Sequence, residues 1–309
     1  MAQILLEGRI KITTFRPPRG FDPLASNAAE AVRYGFPTPP EEPRHRERYR
    51  HVWNQIKDKF HYIEPSFRLN GDRLHGPRRR PSAAGAQAST NWSGGVVFAP
   101  AGRSFKWIEG DWVIPNIDAP STNQWYYCAN WIGLDGDGSG DVCQAGVECD
   151  VFRCGNTLAH AYYPWWEWFP LAEVQITNFP IEPGDLVSVL LCTSGADATA
   201  ASVFFANRTT GAATSFAFNA PEGTRLVGNS AEWVVEAPTV DGAPGALADY
   251  GEVFFSVCEA FLTDNTTVAG GTGDAISLTV GGTTLSDGAL ISPTVIQCLY
   301  AGTAPSDAL

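Results

Sequence analysis

A chain of 309 residues with only 17% charged residues, and with 10 Trp, 17 Phe and 9 Tyr, can bury a large core. Its 31 Gly and 22 Pro interrupt short Val/Ile/Phe/Thr runs, which excludes a helical bundle and predicts many short strands joined by turns. The formal net charge of -12 divides into +7 over residues 1–85 and -19 over residues 86–309. A basic segment therefore precedes an acidic body. A nucleic-acid-binding arm is disfavoured because such a body would repel phosphate. Attraction between the two parts is the simpler account.

The first 85 residues are rich in Pro and Arg: Arg16-Pro17-Pro18-Arg19, Pro37 through Pro43, Arg44–Arg50 and Arg78-Arg79-Arg80-Pro81. Met1–Phe15 carries Glu7, Arg9 and Lys11 where a secretory leader needs an apolar core, so no signal peptide is expected. A helix is predicted over Arg46–Tyr62, with Tyr49, Val52, Trp53, Ile56 and Phe60 at helical spacing. Pro81–Thr90 reads as a linker. Beyond Asn91 the texture is that of strands, clearest at Lys106–Val113, Asp185–Cys192, Ala201–Ala206, Glu232–Glu236, Glu252–Phe261 and Ala275–Val280. Partial alternation predicts an all-β sandwich of antiparallel sheets, about a dozen strands in all. The longest apolar run, near Leu186–Cys192, is far too short to span a bilayer, and no membrane partner is expected.

The body contains one histidine, His160, the others being His45, His51, His61 and His75. A Ser–His–Asp triad, a Cys–His dyad or a multi-His zinc site would need His160 as its only imidazole, and a packed or surface role is the better reading for it. Ser93 lacks the strand–turn–helix setting of a nucleophile elbow, and Asn91-Trp92-Ser93 fits a glycosylation acceptor pattern. The seven cysteines (Cys128, Cys143, Cys149, Cys154, Cys192, Cys258, Cys298) include no C-x-x-C pair, so zinc is not expected; an odd count leaves at least one thiol free. Cys192 and Cys258 read as small buried hydrophobes, whereas disulfides among the loop cysteines would suit an exported protein. Asp135-Gly-Asp-Gly-Ser-Gly-Asp141 begins like a calcium loop but has Gly146 where the bidentate Glu belongs, so a tight turn presenting Asp135 is preferred. No metal or cofactor is expected.

Carboxylates remain as the acid/base candidates. On the strand ending at Glu236, Glu232, Val234 and Glu236 share a face. At a rise of about 3.3 Å per residue, Glu232 and Glu236 lie roughly 13 Å apart, too far to act as a glycosidase pair by themselves. For an isolated strand, the usual assumption is that both are solvated.

Seven stretches in order, spread from Asn91 to the Glu236 strand, carry a resemblance: Asn91-Trp-Ser-Gly-Gly95, Trp131-Ile-Gly-Leu-Asp-Gly136, Gln144-Ala-Gly146, Trp165-Trp-Glu-Trp-Phe-Pro170, Gly184-Asp185, Asn207-Arg-Thr-Thr-Gly211 and Ala231-Glu-Trp-Val-Val-Glu236. From Asn91 to about Tyr300 the body resembles the eqolisins, the glutamic peptidases. The resemblance implies a β-sandwich of two antiparallel, seven-stranded sheets of jelly-roll type. It also implies an acid-acting endopeptidase whose catalytic residues fall on Gln144 and Glu236. Trp92, Trp131, Asp135, Glu167 and Phe169 match cleft-lining positions, Phe169 standing where the family commonly has Tyr. Protein or peptide substrates, export, and an N-terminal prosegment over residues 1–85 before a peptidase domain at 86–309 are further implications. A monomer is expected. On this reading the basic segment is inhibitory, and acid weakens its hold by protonating the body's carboxylates, after which it is cut near Arg78–Thr90. A second class fits the same fold: a non-catalytic carbohydrate- or protein-binding β-sandwich using Trp165, Trp166 and Trp168 as a stacking platform. A glycosidase is a third, and needs a second carboxylate near Glu236.

Overall fold

Alternation along the strands decides the architecture. In Cys143–Cys154, residues Ala145, Val147, Cys149 and Val151 join the main core, while Gln144, Glu148 and Asp150 on the opposite face are buried polar groups. A strand of this kind separates an apolar layer from a polar one. The computed structural model describes residues 2–18, 20–22, 24–36, 46–47, 50, 53–54, 57–81 and 87–302. Of the described residues, 53% are strand and 4% helix, an all-β fold.

Twenty strands hydrogen-bond into one sheet, nearly all of it antiparallel. One run carries Phe105–Val113 between Leu186–Thr193 and Glu252–Leu262, and continues through Ala200–Asn207 to Ala212–Asn219. The other runs from Asp274–Val280 through Trp92–Phe98, Ser230–Glu236, Trp125–Leu134 and Cys143–Cys154 to Thr157–Trp168. Asp274–Val280 also pairs with Thr283–Ser292, so the two runs are continuous and the sheet curls towards closure. Side chains from both runs fill one core: Trp166 stacks on Phe218 with ring centroids 3.9 Å apart, and Ile108, Ile132, Val189 and Trp233 share that core. All six strands expected from the sequence are present, with ends within two residues of those expected.

The first segment is built into this sheet. Ala2–Leu6 and Ile10–Thr14 form a hairpin whose second strand pairs with Ala212–Asn219 from Phe216 to Phe218. His61–Tyr62 lies parallel to Ala212–Ala213, Phe67–Leu69 pairs with Val174–Ile176, and Arg73–Leu74 joins Thr239–Val240. Ala28–Arg33 is a short helix with reciprocal capping between Asn27 and Glu30. Of the helix expected over 46–62, Trp53 is helical and buried against Phe36 and Phe60, while His61–Tyr62 is already strand. Tyr49, Val52 and Ile56 lie outside the described residues, as do Arg19, Pro37 to Pro43, much of Arg44–Arg50 and linker residues 82–86. The end of that expected linker is ordered as a strand, Ala88–Ser89, parallel to Ser277–Leu278.

Candidate active site

The polar face of the second run forms a trough. Register places Glu236 opposite Ala129, Val234 opposite Trp131, and Gly146 on the other side of Trp131; Gln144 faces Gly133 and Glu167. Gln144 and Glu236 thus stand on either side of the Trp131 strand. The floor is a separate apolar cluster that includes Trp92, Trp131, Trp165 and Val234, with Phe169 packed against it. Trp92 meets Trp131 edge to face at 4.9 Å. Gly146 is the only residue type that fits under Trp131, because a Cβ there would lie 2.5 Å from the Trp131 Cβ and 2.2 Å from the Asn130 carbonyl oxygen. Gly146→Ala should therefore cost roughly 1–3 kcal/mol of stability, read by thermal unfolding.

Trp131 Nε1 donates to Glu236 Oε2 at 2.9 Å, and Asn91 Nδ2 donates to Glu236 Oε1 at 3.3 Å. These two donors fix the carboxylate. The centre of the trough is filled by the first segment. The His75 carbonyl accepts from Gln144 Nε2 at 2.5 Å, and its backbone N–H is shared by the two Glu167 oxygens at 3.1 Å each. Its imidazole lies 3.8 Å from Trp165, nearly parallel, with Nδ1 3.3 Å from Glu236 Oε2 and Nε2 3.0 Å from Glu173 Oε2. Gln144 Oε1 is buried with no hydrogen-bond partner among the described residues. His75 escaped the sequence reading because it lies in the basic segment, and function was sought in the body alone.

Arg73 makes a two-pronged contact with Asp150, 3.1 Å on each side, pairs with Glu148, and sits 4.5 Å over the Tyr127 ring. Arg78 and Arg80 both reach Asp137, at 2.6 and 2.7 Å. The charge asymmetry of the sequence is thus spent in this trough. His75, Glu148 and Glu173 bring ligand atoms within 4.8 Å of one another, a spacing that could hold a cation. In this arrangement Arg73 engages Glu148 and the imidazole engages Glu173.

Burial alone would strip the proton from His75, but its hydrogen bonds to Glu173 and Glu236 and the charge of Glu148 outweigh it and hold the ring charged well above its ordinary range. Burial raises Glu148, Asp150 and Glu167 above the usual carboxylate range, in spite of Arg73 beside the first two and His75 beside the third. The signs follow. A raised histidine contributes stability fully below its ordinary value of about 6.5 and loses it as pH rises through the raised value. A raised carboxylate costs stability while ionised, and that cost is relieved as pH falls through its raised value. Both trends make the folded chain more stable on the acid side. The full chain should melt about 5 °C higher near pH 5 than near pH 9 by scanning calorimetry, with a smaller difference in His75→Ala.

Asp135, expected in the cleft, turns its carboxylate to the backbone N–H groups of Val227 (2.6 Å) and Asn229 (2.9 Å) and pins that loop. Burial lifts it to about 6. In the same calcium-like loop, Asp137 pairs with Arg78 and Arg80. Glu232 faces the trough fully buried, which overturns a solvated outer face, and burial holds it well above the usual range. Trp165, Trp166 and Trp168 are all buried, Trp165 under the trough and the other two in the main core, so they form no exposed stacking platform. Asn91 is buried, its amide donating to the Gly76 and Pro77 carbonyls as well as Glu236, which leaves no space for a glycan in this fold. His160 is exposed, bonded to the Ile117 carbonyl at 3.0 Å. All seven cysteines are free thiols and lie in strands, not loops; five are buried.

The all-β fold that carries this trough is shared with a family of peptidases. The chain belongs to it: the pattern described as the Peptidase A4 family matches residues 90–300. The chain is 27% identical over 190 residues to aspergillopepsin-2 of Aspergillus niger, covering 56% of this chain and 64% of that relative. The crystal structure of scytalido-glutamic peptidase with a transition state analog inhibitor matches 69% of this chain and 98% of its own, at TM-score 0.59 and 21% identity. Aspergilloglutamic peptidase from Aspergillus niger matches 57% of this chain and 99% of its own, at TM-score 0.51 and 25% identity.

Proposed function

We propose that the chain is the precursor of an acid-acting glutamic endopeptidase that hydrolyses protein or peptide substrates with Gln144 and Glu236. The observation that carries this is a peptide carbonyl, that of His75, seated on the Gln144 amide beside a carboxylate fixed by Trp131 and Asn91. In a substrate complex, ionised Glu236 takes a proton from water as the oxygen attacks the scissile carbon. The Gln144 Nε2–H group stabilises the oxyanion, and the proton passes to the leaving amine as the C–N bond breaks. The amide does not titrate, so the oxyanion donor stays available in acid. Gln144 Oε1, without a protein partner among the described residues, is placed to orient the water.

Residues 1–85 act as the prosegment of the 86–309 domain. Its backbone runs through the trough as a substrate would, and the His75 ring lies against Glu236, where the attacking water is needed. The curled sheet is read as the two packed layers of a jelly-roll sandwich, working as an exported monomer. The decisive measurement is cleavage of an acid-denatured protein at mildly acidic pH in the presence of pepstatin. Absence of cleavage after prolonged incubation would reject the peptidase in favour of a binding module.

A further inference from the structure

Where the first segment meets the body, three side chains converge in the manner of metal ligands. His75 Nε2 lies 3.0 Å from Glu173 Oε2 and 3.7 Å from Glu148 Oε2, and the ligand atoms of all three lie within 4.8 Å of one another. A tetrahedral ion with bonds of about 2.0 Å sets its ligand atoms about 3.3 Å apart, a value that the two separations from Nε2 bracket. Glu148 Oε2 is buried with no hydrogen-bond partner among the described residues, Arg73 being paired with the other oxygen, Oε1. The imidazole is held nearly flat against Trp165, and its Nδ1 lies 3.3 Å from Glu236 Oε2. A carboxylate on the far ring nitrogen is the common means of orienting a metal-binding histidine and raising its basicity. Charge points the same way. The buried carboxylates Glu148, Asp150, Glu167, Glu173 and Glu236 outnumber the cations Arg73 and His75 that they face.

We propose that His75, Glu148 and Glu173 form a site for a divalent transition-metal ion, zinc being the best match, which fastens the first segment into the trough of the uncut chain. One imidazole and two carboxylates suit zinc, whereas calcium takes six to eight oxygens and magnesium a near-ideal octahedron. The ion takes the place of the proton on Nε2, and its fourth position falls to water. The histidine comes from the first segment and the glutamates from the body, so the site is complete only while the His75 loop lies in the trough. The spacing of His and Cys within the body therefore gives no sign of it.

The test is titration of the full chain with cobalt(II) and with zinc at neutral pH. Cobalt(II) should bind one to one with the strong visible absorption of a four-coordinate site, and zinc should displace it with a Kd of about 1 μM or below. Saturating zinc should raise the thermal midpoint by about 5 °C. Glu148→Gln and Glu173→Gln should each weaken zinc by about a hundredfold and abolish that rise, their metal-free melting curves reporting whether they fold. Absence of zinc binding up to about 1 mM overturns the proposal. So does binding that persists undiminished in both folded variants, which would mark an ion held elsewhere. Should a variant fail to fold, the parent's cobalt spectrum decides, because the faint absorption of a six-coordinate ion overturns the site. None of these readouts involves catalysis, so their failure leaves Gln144 and Glu236 untouched.

Discussion

Full-length Glu236→Gln, incubated in acid with a denatured protein, should show a loss of about a thousandfold in the rate of peptide-bond cleavage, and Gln144→Ala a loss of about a hundredfold or more. The two losses have different origins. A Gln at 236 preserves the acceptor for Trp131 Nε1 and Asn91 Nδ2, so the trough keeps its shape while the proton acceptor is gone. Ala at 144 removes the donor that meets the carbonyl oxygen and leaves the strand pairing to Gly133 and Glu167 in place. Thermal midpoints of both variants should stay within a few degrees of the parent. Near-parental rates in either variant would remove that residue from the mechanism.

The second large effect concerns His75. Replacing it with Ala removes the ring from Glu236 and deprives Glu173 and Glu148 of a cation in a fully buried site. Breaking such a pairing costs roughly 3–5 kcal/mol, enough to shift the balance between covered and open trough by a hundredfold or more. Full-length His75→Ala should then cleave a reporter peptide before any of its own chain is cut, at least about tenfold faster than the uncut parent. A second readout separates this from general loosening. With the ring gone, the bond after residue 75 becomes a substrate, and the first fragment seen by mass spectrometry should end at residue 75. If the variant stays silent and uncut while still folded, His75 is not what blocks the trough.

The fold was largely legible, because short apolar runs between Gly and Pro can bury themselves only as strands. Glu236 was legible too, since alternation along 232–236 puts it on a face with Glu232. The strand Cys143–Cys154 was harder: Gln144, Glu148 and Asp150 alternate faithfully with Ala145, Val147 and Cys149, yet its cysteines drew attention to disulfides and metals. Spacing cannot tell a polar face turned to water from one turned to a buried trough, so Glu232 and Glu236 looked solvated. His75 was beyond reach for another reason. Its significance depends on Leu74 and Arg73 reaching Thr239 and Val240, a pairing across more than 160 residues that no local pattern announces.

The hairpin Ala2–Thr14 covers a strand that the proposed removal of residues 1–85 would expose. It lies along the outer strand Ala212–Asn219, with Thr14, Thr13 and Ile12 against Phe216, Ala217 and Phe218. If the first segment is removed as proposed, that eight-residue strand becomes the open rim of the sheet, with unpaired backbone groups and no Pro or charged side chain along it. On that proposal the uncut chain is the better-behaved species in concentrated solution, and removal of the segment exchanges colloidal safety for an accessible trough.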